Sequence, residues 1–486
     1  MAEKSSTAQR ERELKFDVPD GWTVPDLRKL IGVDGSVRVE ERTLESTYFD
    51  TDARELLDAG LTLRRRTGDD DSGWHLKVPA GDARTEIRLP LGGRGVPLEL
   101  RELTTGIRGR AALKPLATLR TTRIAHQLLD GDGTPLLEVV DDTVRSSTQR
   151  EFAVLRHWRE VEVELLEGGA EKLLRRAAAL LRKNGAWPAE SASKLARALD
   201  VATRRPRESG TLSGAVGRYL DEQYEVLLRG DIALRRGGSG DPEHGELIHK
   251  TRVATRRYRS VLRVFAGALD EARATGLDGE LAWFAAALGE IRDRQVLRAH
   301  LDAALDELPA ELVLGPVRTR IHQTLAAEQQ RAEAELAQHV RSRRYVNLQA
   351  ELRAWRASLP LLEDASDAEL ERYLDDAERK IAKRVRAAES TDDSDEAYHR
   401  VRKAAKRARY VAELAGPVLG KRAGRLERRA KEVQTRLGDR QDDVVAASFL
   451  RRLGAAAGVA PGENGFTFGL LYQRERTRGG RIHPRG

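Results

Sequence analysis

Glu11-Arg12-Glu13-Leu14-Lys15-Phe16, near the start of the chain, places two carboxylates and an amine on alternate residues. In a β-strand, alternate side chains point to the same face of the sheet. Three ionisable groups on one face are too costly to bury in an apolar core. The stretch therefore predicts a strand whose charged face is shared with water, a metal ion or a charged ligand.

The same alternation of charged and apolar residues recurs in four further segments before residue 166. These segments are Leu61–Arg66, Trp74–Val78, Arg84–Leu89 and Glu160–Leu165. Clusters of Gly, Asp and Pro separate the strands as turns would, and one helix is expected over Glu171–Lys183. For any single strand, an ordinary sheet with its charged face in water is the alternative. Like charges on several exposed strands would repel, which favours a closed barrel with a polar, water-filled interior and an apolar outer face.

The charged faces suggest a chemistry for such an interior. Carboxylates are the ligands that hard divalent cations prefer. Arginine and lysine grip phosphate oxygens, and arginine does so through two parallel hydrogen bonds. A carboxylate–metal wall facing a cationic wall can bind a polyphosphate and stabilise charge during phosphoryl transfer.

The ordered series of motifs resembles the CYTH domains, also called triphosphate tunnel metalloenzymes, over about residues 8–200. The matching motifs are Glu11-x-Glu13-x-Lys15, Leu63-Arg64-Arg65-Arg66, Leu76-Lys77-Val78, Arg84-Thr85-Glu86, Glu160–Gly168 and Ser193-Lys194. The resemblance implies an N-terminal α+β domain built as an antiparallel eight-stranded tunnel barrel. It also implies binding of triphosphate compounds together with Mg²⁺ or Mn²⁺.

The resemblance further implies roles for individual side chains. The implied metal ligands are Glu11, Glu13, Asp141, Asp142, Glu162 and Glu164. The implied triphosphate ligands are Lys15, Arg64, Arg66, Lys77, Arg88, Arg123 and Lys194. Catalysis is expected to rest on Glu11, Glu13, Lys15, Glu162 and Glu164.

One strand departs from the family pattern, which usually shows an Asp followed within two residues by Gly. Leu137–Val144 contains no Gly. Asp142 is in phase with Glu138 and Asp141 is not, so the sequence leaves open which of the two aspartates faces the tunnel.

After an expected linker at residues 201–210, the chain is rich in Ala, Leu, Arg and Glu at helical spacing and contains an internal repeat. His249–Arg259 matches His399–Arg409, and Leu288–Asp293 matches Leu437–Asp442 at nearly the same offset. Two copies are too few for a solenoid and predict a duplicated helical bundle. The net charge is +8, and the basic excess lies in this part, which suggests a polyanionic partner.

Each copy of the repeat carries a stripe of cations on one helix face. The stripes are His249, Arg252, Arg256 and Arg259, and His399, Arg402, Lys406 and Arg409. A solvated helix face and a histidine metal site are alternatives, but the duplication and the cationic neighbours favour phosphate. Aromatic residues make up only 5% of the chain, which disfavours base stacking and therefore nucleic acid.

The repeated segments resemble the CHAD domain over roughly residues 211–470. The resemblance implies a C-terminal all-α duplicated helical bundle that binds inorganic polyphosphate. A basic flexible tail is expected over residues 471–486.

The composition excludes several classes of protein. There is no cysteine for thiol catalysis or disulfides, no apolar run long enough to span a membrane, no apolar signal segment and no P-loop motif. These features predict a cytoplasmic protein without a membrane partner.

We therefore predict metal-dependent hydrolysis of inorganic triphosphate in the first domain and polyphosphate binding by the second. One alternative is a non-catalytic protein that binds polyphosphate granules. Another is an adenylyl cyclase or thiamine triphosphatase of the same fold.

Overall fold

The computed structural model describes residues 7–32, 34–69, 71–80, 83–93, 95–148, 154–191, 193–201, 211–237, 242–361, 368–390 and 395–479. Residues 7–11, 242, 243, 368, 395, 438–441 and 479 are described by their backbone only. The chain divides into two compact units, Met1–Arg205 and Pro206–Gly486. Among the described residues, none of the helices has the length and hydropathy needed to cross a membrane.

One antiparallel sheet forms the framework of the first unit. Its strands are β1 (Thr7–Glu11), β2 (Glu13–Asp17), β3 (Ser36–Asp50), β4 (Thr62–Thr67), β5 (Gly73–Ala80), β6 (Ala83–Pro90), β7 (Lys114–Leu129), β8 (Pro135–Thr148), β9 (Val154–Leu165) and β10 (Trp187–Pro188). Their order in the sheet is β1-β6-β5-β4-β3-β7-β8-β9-β2-β10.

The sheet closes on itself at the motif near the start of the chain. β1 pairs with β6, β2 pairs with β9, and only Arg12 separates β1 from β2. One continuous segment therefore joins the two sides of the sheet, and eight strands surround an interior that we call the tunnel. The eight-stranded antiparallel architecture predicted for this unit is confirmed.

Short helices cover the outside of the closed sheet. They are α1 (Glu55–Asp58), α2 (Leu98–Leu103), α3 (Thr105–Arg108), α4 (Glu171–Lys183) and α5 (Lys194–Leu199). Leu174 and Leu181 of α4, which has the predicted bounds, pack against Val161 and Val163 of β9 in one buried cluster. The apolar strand faces are thus covered by helices, and the charged faces point into the tunnel.

The second unit is all-helical over its described residues. Its helices are α6 (Leu212–Arg236), α7 (Pro242–Val264), α8 (Glu271–Asp306), α9 (Val317–Arg341), α10 (Arg343–Ala357), α11 (Ala368–Glu389), α12 (Asp395–Leu419), α13 (Lys421–Ala457) and α14 (Phe466–Gly479). Consecutive helices pack together from α6 to α9 and again from α11 to α14. The repeated motifs lie on α7 and α8 in the first run and on α12 and α13 in the second. The predicted duplicated bundle is therefore a repeat of packed helices.

The end of the chain corrects one prediction. Residues 471–479, expected in a flexible tail, belong to α14, and Leu471 is fully buried. Leu471 and Phe468 pack with Phe449 and Leu450 of α13. The segment contains so many arginines that its sequence does not show a clear apolar helix face. Residues 480–486, like 202–210 of the expected linker, lie outside the described residues.

Candidate functional site

Pairing register aligns carboxylates across three neighbouring strands of the tunnel. Glu13 of β2 is paired with Glu164 of β9, and Glu164 is paired with Glu138 of β8. Side chains of paired residues share a face of the sheet. Glu138 was not predicted as a site residue, although its spacing from Asp142 was a usable signal. The row of three carboxylates needs cations to offset its repulsion.

Lys15 lies between two of the predicted metal ligands. Its Nζ is 2.5 Å from Glu162 Oε1 and 3.6 Å from Glu13 Oε1. The side chains of Lys15 and Glu162 are only 16% and 11% exposed, so the alternative of an open sheet with a solvated charged face is wrong here. Burial raises the pKa of Glu13, but Lys15 and Lys77 outweigh it and hold the pKa below its ordinary value. Glu13 therefore stays ionised inside the tunnel.

Lys194 joins three carboxylates at one point of the tunnel. Its Nζ lies 2.8 Å from Glu160 Oε1, 2.8 Å from Glu162 Oε1 and 3.0 Å from Asp142 Oδ2. Burial lowers the pKa of Lys194, but these carboxylates outweigh it and hold the pKa well above its usual value. Ser193 fixes the position of Lys194, because its hydroxyl oxygen accepts a hydrogen bond from Ala196 N and caps α5.

Asp142, and not Asp141, is the aspartate that faces the tunnel. Arg123 donates two hydrogen bonds to the Asp142 carboxylate, at 2.8 and 2.7 Å, and its Nη2 lies 3.4 Å from Glu162 Oε2. Asp141 accepts a hydrogen bond from Arg159 Nε at 2.7 Å on the other face of β8. The expected role of Asp141 as a metal ligand is therefore corrected, since adjacent strand residues point to opposite faces.

Three of the predicted phosphate-binding cations, Arg64, Lys77 and Arg88, surround one buried carboxylate, Glu86, whereas Arg66 Nη1 lies 3.1 Å from Asp71. Glu86 Oε1 lies 3.6 Å from Arg64 Nη2 and 3.8 Å from Lys77 Nζ. His75 Nδ1 is 3.1 Å from the same oxygen, and Arg88 donates to the other. Burial raises the pKa of Glu86, but His75, Lys77 and Arg64 outweigh it and hold the pKa far below its usual range. Glu86 and His75 were not predicted as site residues; the phase of Glu86 with Arg84 and Arg88 was the available signal.

Positive charge is crowded beside this group. Burial, together with the charges of Arg64 and Arg123, lowers the pKa of Arg66 to about 10. Tyr48 is paired with Arg64 across β3 and β4, and the sequence did not predict it as a site residue. Burial raises the pKa of Tyr48, but Arg64 and Lys194 outweigh it and lower the pKa. A bound anion would relieve the repulsion among these cations.

Glu11 is placed by its backbone only. It is paired with Arg84 across β1 and β6, and its side chain lies outside the described residues. The predicted role of Glu11 stays a prediction.

The donor set of the tunnel fits a divalent metal ion. Glu13, Glu138, Glu162 and Glu164 supply the carboxylate oxygens that hard cations prefer. Glu13 Oε1 is buried and forms ion pairs with Arg84 Nη1 at 3.2 Å and with Lys15 Nζ at 3.6 Å, but it accepts no hydrogen bond of normal geometry from the described residues. A buried carboxylate oxygen that lacks a hydrogen bond and lies in a row of carboxylates is a position that a bound cation would satisfy.

A second charged site lies in the helical unit and combines residues from both repeats. We call Arg252 and Arg256 of α7 with Arg402 and Lys406 of α12 the basic cluster. Burial and the charges of the three arginines lower the pKa of Lys406 to about 7, despite Asp442. The Nε atoms of Arg256 and Arg402 are buried and have no hydrogen-bond partner among the described side chains and backbone. This concentration of cations has the properties of an anion-binding site.

The other residues of the predicted stripes differ in their surroundings. Arg259 Nε lies 2.9 Å from Asp278, and Arg409 Nε lies 3.0 Å from Glu413. His249 and His399 are half-buried at matching positions of α7 and α12. Burial and the charge of Arg292 lower the pKa of His249. Arg259 and Arg409 are therefore paired with carboxylates of their own unit, and so is Arg252 of the basic cluster, whose Nη2 lies 2.9 Å from Asp293 Oδ1.

Comparison with known families divides the chain in the same way. A family model of the CYTH domain matches residues 9–199, and a family model of the CHAD domain matches residues 218–451. An uncharacterized protein of Mycobacterium tuberculosis is 36% identical over 494 residues, which cover 96% of this chain and 92% of the relative.

Several solved structures are similar to parts of the chain. PptA from Streptomyces chartreusis is 21% identical with a TM-score of 0.47, covering 57% of this chain and 95% of its own. The CHAD domain from the plant Ricinus communis is 28% identical with a TM-score of 0.44, covering 57% of this chain and 90% of its own. A putative adenylyl cyclase from Hippeastrum, described as having a dominant triphosphatase activity, is 16% identical with a TM-score of 0.23, covering 39% of this chain and 95% of its own.

Proposed function

Because the chain belongs to the family of proteins that join a CYTH domain to a CHAD domain, we propose that its tunnel hydrolyses inorganic triphosphate with Mg²⁺ or Mn²⁺. CYTH tunnel enzymes use divalent metal ions and bind triphosphates. The observation that carries the proposal is that carboxylates predominate on β2, β8 and β9, beside Lys15, and cations predominate on β4, β5 and β6, beside Glu86.

The side chains of the tunnel have separate tasks in this reaction. Glu13, Glu162 and Glu164 hold the metal, with Glu138 beside them and Glu11 in the role that the sequence implies. The metal, when bound, polarises a phosphoryl oxygen and activates water. Seven cations hold the phosphate oxygens and offset their charge as the phosphoanhydride bond breaks. They are Lys15, Arg64, Arg66, Lys77, Arg88, Arg123 and Lys194.

For the helical unit we propose binding of inorganic polyphosphate at the basic cluster. Guanidinium groups with unsatisfied Nε atoms suit phosphate oxygens, which accept charge-assisted hydrogen bonds. Binding to the chain, or to granules made of it, would raise the local concentration of phosphate substrates near the tunnel. This attached domain favours inorganic triphosphate over nucleotide or thiamine triphosphates.

The test is a substrate panel with the full-length protein, Mg²⁺ or Mn²⁺, and identification of every product. We expect inorganic triphosphate to give phosphate and pyrophosphate faster than ATP or thiamine triphosphate is converted. Cyclic AMP as the main product from ATP would replace the proposal with a cyclase. Tight triphosphate binding without turnover under any metal would indicate a binding protein instead.

The affinity for polyphosphate is expected to fall about tenfold between pH 6 and pH 8. Lys406 has a pKa of about 7 in the free protein, so it loses its charge as the pH rises through that value. A bound phosphate stabilises the charged amine and raises its pKa, and binding above pH 7 therefore takes up a proton. Titration calorimetry in buffers of different ionisation enthalpy measures this uptake.

Lys406→Arg is the matched control for this pH dependence. Its guanidinium stays charged over the whole range, so the proton uptake assigned to Lys406 should disappear. Ionisation of the phosphate chain itself affects both proteins equally and cancels in the comparison. Equal proton uptake by the two proteins would contradict the role of Lys406.

A further inference from the structure

Three side chains of metal-ligating type meet in the helical unit, apart from the basic cluster. They are His300 of α8, Asp443 of α13 and Glu475 of α14, and their ligand atoms lie within 4.8 Å of one another. His300 Nε2 is 2.7 Å from Glu475 Oε2 and 3.8 Å from Asp443 Oδ1. Each residue comes from a different helix, so only the packing of the unit brings them together.

The surroundings of the three residues are unfavourable for two carboxylates. The side chains of Glu475 and Asp443 are 0% and 8% exposed. They adjoin a hydrophobic cluster that includes Leu301, Ala446 and Leu471, each a neighbour of one of the three in its helix. Burial of two carboxylates without matching positive charge is costly.

The charges of the described neighbours do not balance this pair. His300 supplies at most one positive charge, and Arg478 acts on the group from an exposed position on α14. Glu475 Oε1 is buried and has no hydrogen-bond partner among the described residues. This oxygen is an unsatisfied hydrogen-bond acceptor beside the two other candidate metal ligands, His300 and Asp443. A bound cation would satisfy it.

The geometry suits a tetrahedral ion with nitrogen and oxygen ligands. Ligands at about 2.0–2.1 Å from Zn²⁺ lie roughly 3.3 Å apart in a tetrahedron, and the distances of 2.7 and 3.8 Å lie on either side of this value. An imidazole with two carboxylates also balances the charge of a divalent ion. His300 is 22% exposed, which leaves an approach for the ion and a water molecule as fourth ligand.

We propose that His300, Asp443 and Glu475 form a binding site for a divalent transition metal of the Zn²⁺ type. The bound ion links α8, α13 and α14 and so stabilises the helical unit. This site contains an imidazole, whereas the carboxylates of the tunnel offer only oxygen. The two sites therefore select different metals and are distinguishable by spectroscopy.

The test is Co²⁺ titration of the metal-free, full-length protein, followed by its absorption in the visible range. Wild type is expected to bind one equivalent that gives the strong absorption of a four-coordinate site; Co²⁺ held by the carboxylates of the tunnel adds to the stoichiometry but absorbs only weakly. Glu475→Gln, which keeps the shape of the side chain, should lose that absorption and weaken Co²⁺ binding by more than about a hundredfold. Loss of a residue that only supports a metal ligand would weaken binding by at most about a hundredfold. Zn²⁺ should raise the unfolding temperature of wild type and not that of the variant.

His322→Asn provides the matched control. His322 Nε2 lies 2.7 Å from Asp302 in a half-exposed pair on α8 and α9, and this variant should bind Co²⁺ as wild type does. An unchanged stoichiometry and spectrum in both Glu475→Gln and Asp443→Asn would overturn the proposal. X-ray absorption spectroscopy at the zinc edge tests the site in the wild-type protein without any substitution. A bound zinc ion without an imidazole ligand would also overturn the proposal.

Discussion

Glu13→Gln is expected to lower triphosphate hydrolysis by about a hundredfold to a thousandfold, the range seen when one charge-stabilising group is removed from an active site. Glutamine keeps the shape of the side chain but is a much weaker metal ligand. Lys15 retains its ion pair with Glu162 at 2.5 Å, so the closed sheet should remain intact. The loss should appear in the rate at saturating substrate and in a raised requirement for metal.

Binding and folding measurements separate this effect from a damaged tunnel. Metal-free binding of triphosphate should persist in Glu13→Gln, because the variant leaves the cations in place and removes one negative charge. Glu45→Gln is the control: Glu45 is 47% exposed on β3 and pairs with Arg120 at 3.1 Å. It should hydrolyse triphosphate at the wild-type rate. Equal rates for wild type and Glu13→Gln across a metal panel would contradict the proposed metal site.

Changing Arg252, Arg256, Arg402 and Lys406 to glutamine is expected to weaken polyphosphate binding by at least about a thousandfold. A hydrogen bond to a charged group contributes about 1.5–3 kcal/mol, and about 1.4 kcal/mol corresponds to a tenfold change in affinity. The salt dependence of binding should also become shallower, because fewer counterions are released. Hydrolysis of triphosphate itself should be unchanged. Filter binding at several salt concentrations measures both effects.

A second set of four substitutions separates the basic cluster from the overall charge. Changing Arg372, Arg379, Arg429 and Lys431 to glutamine alters the net charge by the same amount on exposed positions of α11 and α13. This control should retain most of the affinity. A loss as large as that of the basic-cluster variant would show that binding follows net charge alone.

The basic-cluster variant also carries a prediction about stability. The pKa of Lys406 is lowered by burial and by the neighbouring arginines, so the cluster is strained by repulsion in the free protein. Its neutralisation should leave the unfolding temperature unchanged or raise it. A site whose residues serve ligand binding and not folding should lose polyphosphate binding when they are replaced, without a fall in the unfolding temperature.

Much of this protein follows from local patterns in its sequence. The two-residue period of charge in Glu13 and Lys15 and in Glu160, Glu162 and Glu164 predicts strands, and which residues share a face. The helix at Glu171–Lys183 follows from its periodic apolar face. The repeated motifs of α7 and α12 predict the duplication, because two similar segments fold into similar helices.

Other features depend on which segments become neighbours, and single segments do not carry that information. Glu138, Glu86, His75 and Tyr48 join the tunnel only through pairing register between strands. The sequence does not determine whether Asp141 or Asp142 faces the tunnel. That depends on Arg123 and Arg159, which contact the two aspartates on opposite faces of β8. The helix over 471–479 does not follow from the sequence, since its apolar residues are recognisable as a core face only beside α13.

The charged motif at Glu11–Phe16 shows which features follow from sequence alone and which require the tertiary structure. Its sequence alone determines an extended segment with one charged face, because side-chain alternation is a property of the backbone. Tertiary structure decides that this segment pairs with β6 at one end and β9 at the other, and so closes the sheet. Closure turns the charged face inward, and long-range packing likewise gathers the basic cluster and the His300 group from separate helices.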